Sequence, residues 1–326
     1  KKCVDRHNGD RYTKKFSCWQ QLLVLLFAQA KGLSSLRDIE ISLRSRLRNW
    51  YHIGLETVAR STLADANTNR DADIYKEVFY SLLEKCQQLA PKHRFKFKNP
   101  LYTFDSTLIS VCLSICPWAK YRKKKGAFKL HTMLDHDGYL PTFMVLTDGR
   151  THDINVVKKP AYGFPDLPPD SILLVDRAYI DYEWLYSLTK NKLFFVTRTK
   201  INMKYTVLGQ QEPPENKGVI SDCHVRLDNY YQGQYYPETL RLVTVNDPDT
   251  GEPITFMTNN FNFDAVTIAE LYKSRWQIEI FFKWIKQNLK IKSFLGTSEN
   301  AVMTQIWAAM IYYLLLSFIK FQTKCQ

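Results

Sequence analysis

The sequence predicts an α/β chain with a mixed (α+β) sheet: an all-helical N-terminal part, a core that carries an inserted β-rich stretch, and two closing helices. Three observations lead there. From Ser17 to about Leu89 apolar residues recur at three and four, as Trp19, Leu22, Leu23, Leu26 and Phe27 do, which is the period of an amphipathic helix. After the basic segment between Pro91 and Pro100 the period changes to strand-like runs. Ser171–Val175 is a short, wholly apolar run of the kind a buried parallel strand uses.

In chain order, Ser35 followed by Asp38 has the form of a helix start. Leu36–Leu47, a turn at Gly54 and Thr57–Asn67 resemble a helix-turn-helix that offers Arg60, Ser61, Thr62 and Asn67 to DNA. A boundary near residue 95 makes residues 1–95 a helical N-terminal domain. Tyr102–Leu113, Phe128–Leu134 and Tyr139–Leu146 form a three-strand meander, its last two strands joined by the hairpin signal His136-Asp137-Gly138. Ser171–Val175, a helix over Tyr182–Leu188 and a strand over Leu193–Arg198 add a β-α-β unit, so residues 96–200 form the first part of a core. Turns at Pro213-Pro214, Asp228-Asn229 and Asp247 to Gly251 mark residues 201–260 as a β-strand insertion. Helices from Asp264 to about Lys290 and from Ser298 to about Phe321 complete the core over 261–326.

Composition narrows the function. The 326 residues carry 45 Lys and Arg against 32 Asp and Glu, a net charge of +13 that calls for an acidic partner. With 45% apolar and 24% charged residues the chain is neither disordered nor collagen-like. Seven scattered cysteines form neither a disulfide framework nor a C-x-x-C zinc spacing, which suits a reducing compartment. The run Ile306–Ile319 is shorter than the roughly 18–20 residues a membrane span needs and is expected to be a buried helix. Leu22–Ala28 is too short for a signal peptide, and a chain starting at Lys1 is expected to be a piece of a longer one.

Chemistry is most visible where acids interrupt apolar strands. Asp105 stands inside Y-T-F-D-S-T-L-I, where an unpartnered charge is costly. Asp176 directly follows I-L-L-V, at the carboxyl end of a buried strand where open sheets place ligands. At about 100° per residue, Tyr272, Arg275, Glu279, Lys283, Lys286 and Lys290 share one stripe of a helix, one carboxylate among cations. Each feature alone has an ordinary structural reading: a satisfied aspartate, or a solvated helix face with i,i+4 pairs.

Tyr272, Arg275, Glu279 and Lys286 stand as Y-x2-R-x3-E-x6-K, which resembles the signature of insertion-sequence transposases of the family numbered four, within the DDE superfamily. Asp105 in D-S-T and Asp176 in V-D-R-A-Y resemble that family's two aspartates, 71 residues apart and with Glu279 a further 103 along. The resemblance implies an RNase H-like core in which Asp105, Asp176 and Glu279 hold two Mg²⁺ ions, with Mn²⁺ as substitute, for DNA cleavage at element ends and strand transfer. It implies double-stranded DNA (terminal inverted repeats and target) and a second copy of the chain as partners, in a bacterial cytoplasm at the nucleoid. Arg275 resembles the family's phosphate contact, Tyr272 a contact to terminal DNA and Lys286 a positioning charge. Arg122, Lys123, Lys124 and Lys125, with Arg198, Lys200 and Arg60, are further expected DNA contacts, alongside Lys283 and Lys290. No Trp lies between Trp184 and Trp276; Tyr230, Tyr231, Tyr235 and Tyr236 are candidates to stack a flipped base in its place, their ordinary reading being strand aromatics. His152 in T-H-D is expected either near the site or as a capping neighbour of Asp153. A nuclease without strand transfer and a non-catalytic DNA-binding regulator are the alternative functions.

Overall fold

The computed structural model describes residues 1–45, 50–111, 120–122, 125–200, 202–212, 218–228, 235–247, 250–288 and 295–323. Its strands are β1 (Leu101–Val111), β2 (Lys120–Arg122), β3 (Lys125–Asp135), β4 (Leu140–Asp148), β5 (Ile172–Val175), β6 (Phe194–Arg198), β7 (Tyr205–Gln211), β8 (Val219–Leu227), β9 (Leu240–Asn246) and β10 (Pro253–Thr258). Among the described residues the helices are α1 (Lys2–Arg6), α2 (Cys18–Lys31), α3 (Leu36–Arg44), α4 (Arg60–Asn69), α5 (Asp73–Leu89), α6 (Asp153–Lys158), α7 (Tyr182–Lys190), α8 (Ala265–Ser274), α9 (Trp276–Asn288) and α10 (Glu299–Thr323).

The strands form one mixed sheet in the order β2-β3-β1-β5-β6-β10-β9-β8-β7, with β4 paired to β3. The β3-β4 hairpin turns at Gly138, whose φ of 68° is easy only for a residue without Cβ. In the centre β1, β5 and β6 run parallel, Phe104 opposite Val175 and Leu174 opposite Val196. All four residues of β5 are buried because side chains alternate into two cores. Leu173 and Val175 join Phe104, Phe195 and the α7 residues Trp184, Leu185 and Leu188. Ile172 and Leu174 join Leu101, Val196 and the α8 residues Ile268 and Leu271. The mixed α/β class expected from the sequence is therefore what the chain forms. The strands between residues 201 and 260 continue this sheet through β10, which pairs antiparallel with β6, Phe256 opposite Arg198.

Arg241 on β9 is 2% exposed and grips Asp222 on β8 with two bonds, Nε to Oδ1 at 2.8 Å and Nη2 to Oδ2 at 2.6 Å. Its Nη1 donates to the carbonyls of Asn260 and Phe263, at 3.3 and 2.5 Å, and so fixes the turn that leads into α8. Asp264 then caps that helix, accepting from the Thr267 N–H at 2.7 Å. Removing one partner of a buried ion pair leaves the other uncompensated, at about 3–5 kcal/mol. Arg241→Met is accordingly expected to lower the unfolding free energy by about that amount in a denaturant titration; a loss under about 1 kcal/mol would mean that the pair carries little.

Two compact units divide the chain, one gathering residues 1–91, 108–128 and 281–326, the other residues 92–107 and 129–280. In the first, Ser17 and Gln20 form a capping box at the start of α2, and Ser35 accepts from the Asp38 N–H to start α3. Arg60, Ser61 and Thr62 are exposed at the start of α4. Asn67 does not face outward as expected: it is buried, accepting from Gln21 Nε2 at 2.8 Å. The 25-residue α10 is long and apolar enough to cross a membrane, and 56% of its most apolar window is buried. It packs on α5, the Trp307 ring 5.4 Å from that of Phe79 and Cys86 Sγ donating to the Leu314 carbonyl at 3.5 Å. Asn300 accepts from the Ala72 N–H and donates to the carbonyls of Asn67, Thr68 and Arg70, closing the C-terminal ends of α4 and its turn.

Candidate active site

Strand alternation decides where the acidic residues point. Phe104 and Val175 are the last paired residues of β1 and β5, so Asp105 and Asp176 follow side by side on neighbouring strands. They fall on the face of Leu101, Ile172 and Leu174, which is the face α8 covers. Asp176 also caps the short turn Arg177–Tyr179, accepting from the Arg177 N–H at 2.5 Å.

The helix expected to run unbroken from Asp264 is interrupted at Arg275, between α8 and α9. There the Arg275 N–H bonds to the Tyr272 carbonyl and the Ile278 N–H to the Arg275 carbonyl, the tighter i to i−3 spacing. Ser274 Oγ donates to the Leu271 carbonyl at 2.7 Å, a local bond that bends helices. The bend sets the Arg275 guanidinium, 12% exposed, between two carboxylates: Nη1 meets Asp105 Oδ2 at 3.1 Å and Nη2 meets Glu279 Oε1 at 2.6 Å. Its Nε is buried without a hydrogen bond. The guanidinium carbon lies 5.6 Å from the centre of the Tyr272 ring, which itself packs 4.8 Å from Phe256.

Burial pushes the Asp105 carboxyl up to about 6; the Ser106 N–H and Arg275 pull it down, while Asp176 and Glu279 raise it further. Burial likewise raises the Tyr272 hydroxyl. A carboxyl raised above its unfolded value of about 3.9 holds its proton more tightly when folded, so stability is lost as pH rises from about 4 through 6. The charged form then costs roughly 3 kcal/mol at most, and Asp105→Asn removes that cost. In EDTA at pH 8 the variant is expected to melt a few degrees above the wild type, the difference vanishing toward pH 4. A variant that melts lower at pH 8 would show that the Arg275 pair outweighs burial.

As a donor set, three carboxylates from two strand ends and a helix suit a hard divalent cation. Two of them already share one positive charge, that of Arg275. Among the described residues no three acidic, imidazole or thiol groups converge as a metal-ligating cluster.

The other expected contacts are dispersed. Arg198 and Lys200 are exposed at the end of β6 and line one groove with Thr199, Met203, Tyr205 and Thr255. The charge of Arg198 reaches Tyr272, and Lys200 Nζ donates to the Ile180 carbonyl at 3.4 Å. On α9, Lys283 is exposed and Lys286 half-buried. Arg122 and Lys125 belong to β2 and β3; Lys123, Lys124, Lys290, Tyr230 and Tyr231 lie outside the described residues. Tyr236 is buried, its hydroxyl 2.8 Å from Thr189 Oγ1, because its ring fills the core beside Tyr186 and Phe195; it is not a stacking surface. Tyr235 is exposed.

In T-H-D the significant residue is Asp153 rather than His152, which is exposed and makes no capping bond. Asp153 Oδ1 accepts from Ser106 Oγ at 2.6 Å and from Lys129 Nζ at 3.1 Å. His131, driven down to about 4 by burial, has its Nδ1 3.7 Å from the same oxygen. The signal in the sequence was F-K-L-H: a lysine within an apolar strand requires an acid.

Residues 96–315 match the family described as Transposase DDE domain, and residues 1–56 match a domain of unknown function, DUF4372. The chain is 38% identical over 258 residues to a putative transposase (y4zB) of Sinorhizobium fredii, covering 78% of this chain and 69% of the relative. It is 31% identical over 276 residues to the probable transposase for insertion sequence element IS5377 of Geobacillus stearothermophilus, covering 84% and 70%. A solved piggyBac transposase synaptic complex with hairpin DNA shows a remote likeness, with a TM-score of 0.49 and 11% identity over 94% of this chain and 66% of that one. The chain belongs to the transposase DDE domain family.

Proposed function

We propose that the chain carries out cut-and-paste DNA transposition as a member of the insertion-sequence family numbered four, on an RNase H-like core. The observation that carries this is the placement of Asp105 and Asp176 side by side on neighbouring strand ends, with Arg275 joining Asp105 to Glu279 on the helix that follows. These carboxylates would hold two Mg²⁺ ions, or Mn²⁺, whose charge stabilises the entering and leaving oxygens of an in-line displacement at phosphorus. Arg275 offers its guanidinium to the scissile phosphate, and its unbonded Nε supports that role. Tyr272 steadies the guanidinium from below and meets the DNA end. Lys283, Lys286, Lys290, Arg198, Lys200 and the 122–125 segment add phosphate contacts that give affinity without sequence readout.

In this reading residues 1–95 bind the terminal inverted repeats through α4 and Arg60, residues 96–200 and 261–326 form the core, and 201–260 extend it. A homodimer holds the paired ends at the bacterial nucleoid. Incubating the protein with a labelled element end, Mg²⁺ and a target plasmid tests the proposal, and a joined product dependent on the metal is expected. Cleavage with no joined product would leave a nuclease; binding with neither would leave a regulator.

A further inference from the structure

We propose that Asp153, together with Lys129 and Ser106, positions the Asp105 carboxylate from the opposite face of β1. This rests on the reading of Asp105 as a metal ligand. Neighbouring residues of a strand point to opposite faces, so Asp105 looks toward α8 while Ser106 looks toward α6. Ser106 bonds in both directions. Its backbone N–H donates to Asp105 Oδ1 at 2.7 Å, and its Oγ donates to Asp153 Oδ1 at 2.6 Å. Anything that fixes the Ser106 side chain therefore fixes the peptide that holds the Asp105 carboxylate.

Asp153 is itself held. It opens α6, and Lys129 Nζ donates both to its Oδ1 and to the Thr151 carbonyl at 2.9 Å. That ammonium balances the Asp153 charge, so a fourth acid stands close behind the three carboxylates without adding net repulsion. His131, buried beside it, bonds through Nε2 to Thr147 Oγ1 at 2.9 Å and walls off the network. The arrangement has the logic of groups that orient metal ligands from behind, whose loss typically lowers metal affinity or activity about 10- to 100-fold.

The test compares Ser106→Val with Ser106→Thr, two side chains of nearly equal shape of which only threonine keeps the hydroxyl, alongside Asp153→Asn and Asp105→Asn. Mn²⁺ is titrated into each DNA-free protein and free ion is followed by electron paramagnetic resonance; melting in EDTA reports on folding. Ser106→Val and Asp153→Asn are expected to raise the half-saturating Mn²⁺ about tenfold or more, with Ser106→Thr within about twofold of wild type. Wild-type Mn²⁺ affinity in Ser106→Val, or an equal loss in the Val and Thr variants, would overturn the positioning role. If Asp105→Asn itself left Mn²⁺ binding unchanged, the assignment of Asp105 as a ligand would fail first, and the positioning role with it.

Discussion

Asp105→Asn, Asp176→Asn and Glu279→Gln are each expected to slow strand cleavage at an element end by about a thousandfold or more, while duplex DNA is still bound. Each change keeps the shape of the side chain and removes one anionic donor of the site. A loss of about 4 kcal/mol of transition-state stabilisation, the scale on which metal-held oxygens act, corresponds to that factor. Binding survives because affinity is summed over many phosphate contacts on a chain of net charge +13. Cleavage of a labelled duplex in Mg²⁺, beside a binding isotherm at fixed salt, measures both. A variant that retains cleavage within tenfold of wild type would remove its residue from the site.

Arg275→Ala is expected to lower cleavage about 100- to 1,000-fold, the cost typical of deleting one charge-stabilising donor, with overall DNA affinity changed only severalfold. A second effect has the opposite sign from that of Asp105→Asn. Without the guanidinium, Asp105 and Glu279 lose the positive charge they share, so Arg275→Ala should melt below wild type in EDTA. Arg275→Lys should recover only part of either effect, since an ammonium is a point charge and cannot span two carboxylates as the planar fork does. Equal losses in affinity and cleavage would make Arg275 a general tether to DNA.

What the sequence made legible was what is chemically out of place in its own segment. Asp105 interrupts an apolar strand and Asp176 ends one, and both stand where alternation and the β1-β5 pairing bring them together. The three-and-four spacing of α2 and the serine start of α3 were readable for the same local reason. Features that depend on distant partners were not. The strands after residue 201 extend the main sheet because β10 pairs with β6, a choice made across more than fifty residues. The interruption at Arg275 follows from a serine bond and two carboxylates, none of which alters helical periodicity. Asp153 acquires its meaning from Ser106 and Lys129, 47 and 24 residues away. Asn67 and Tyr236 resemble surface residues by type, yet hydrogen bonds with Gln21 and Thr189 hold them in the interior.

The closure of α10 over α5 bears on how the protein is born. About 210 residues separate the end of α5 from the start of α10, and at roughly 5–20 residues per second a ribosome needs about 10–40 s to supply them. Through that interval Phe79 and Cys86 lack the cover that Trp307 and Leu314 later give them. The helical unit is thus completed only once α10 has been made. Nascent chains that stop short of Glu299 should be captured by chaperones or cleared by proteases.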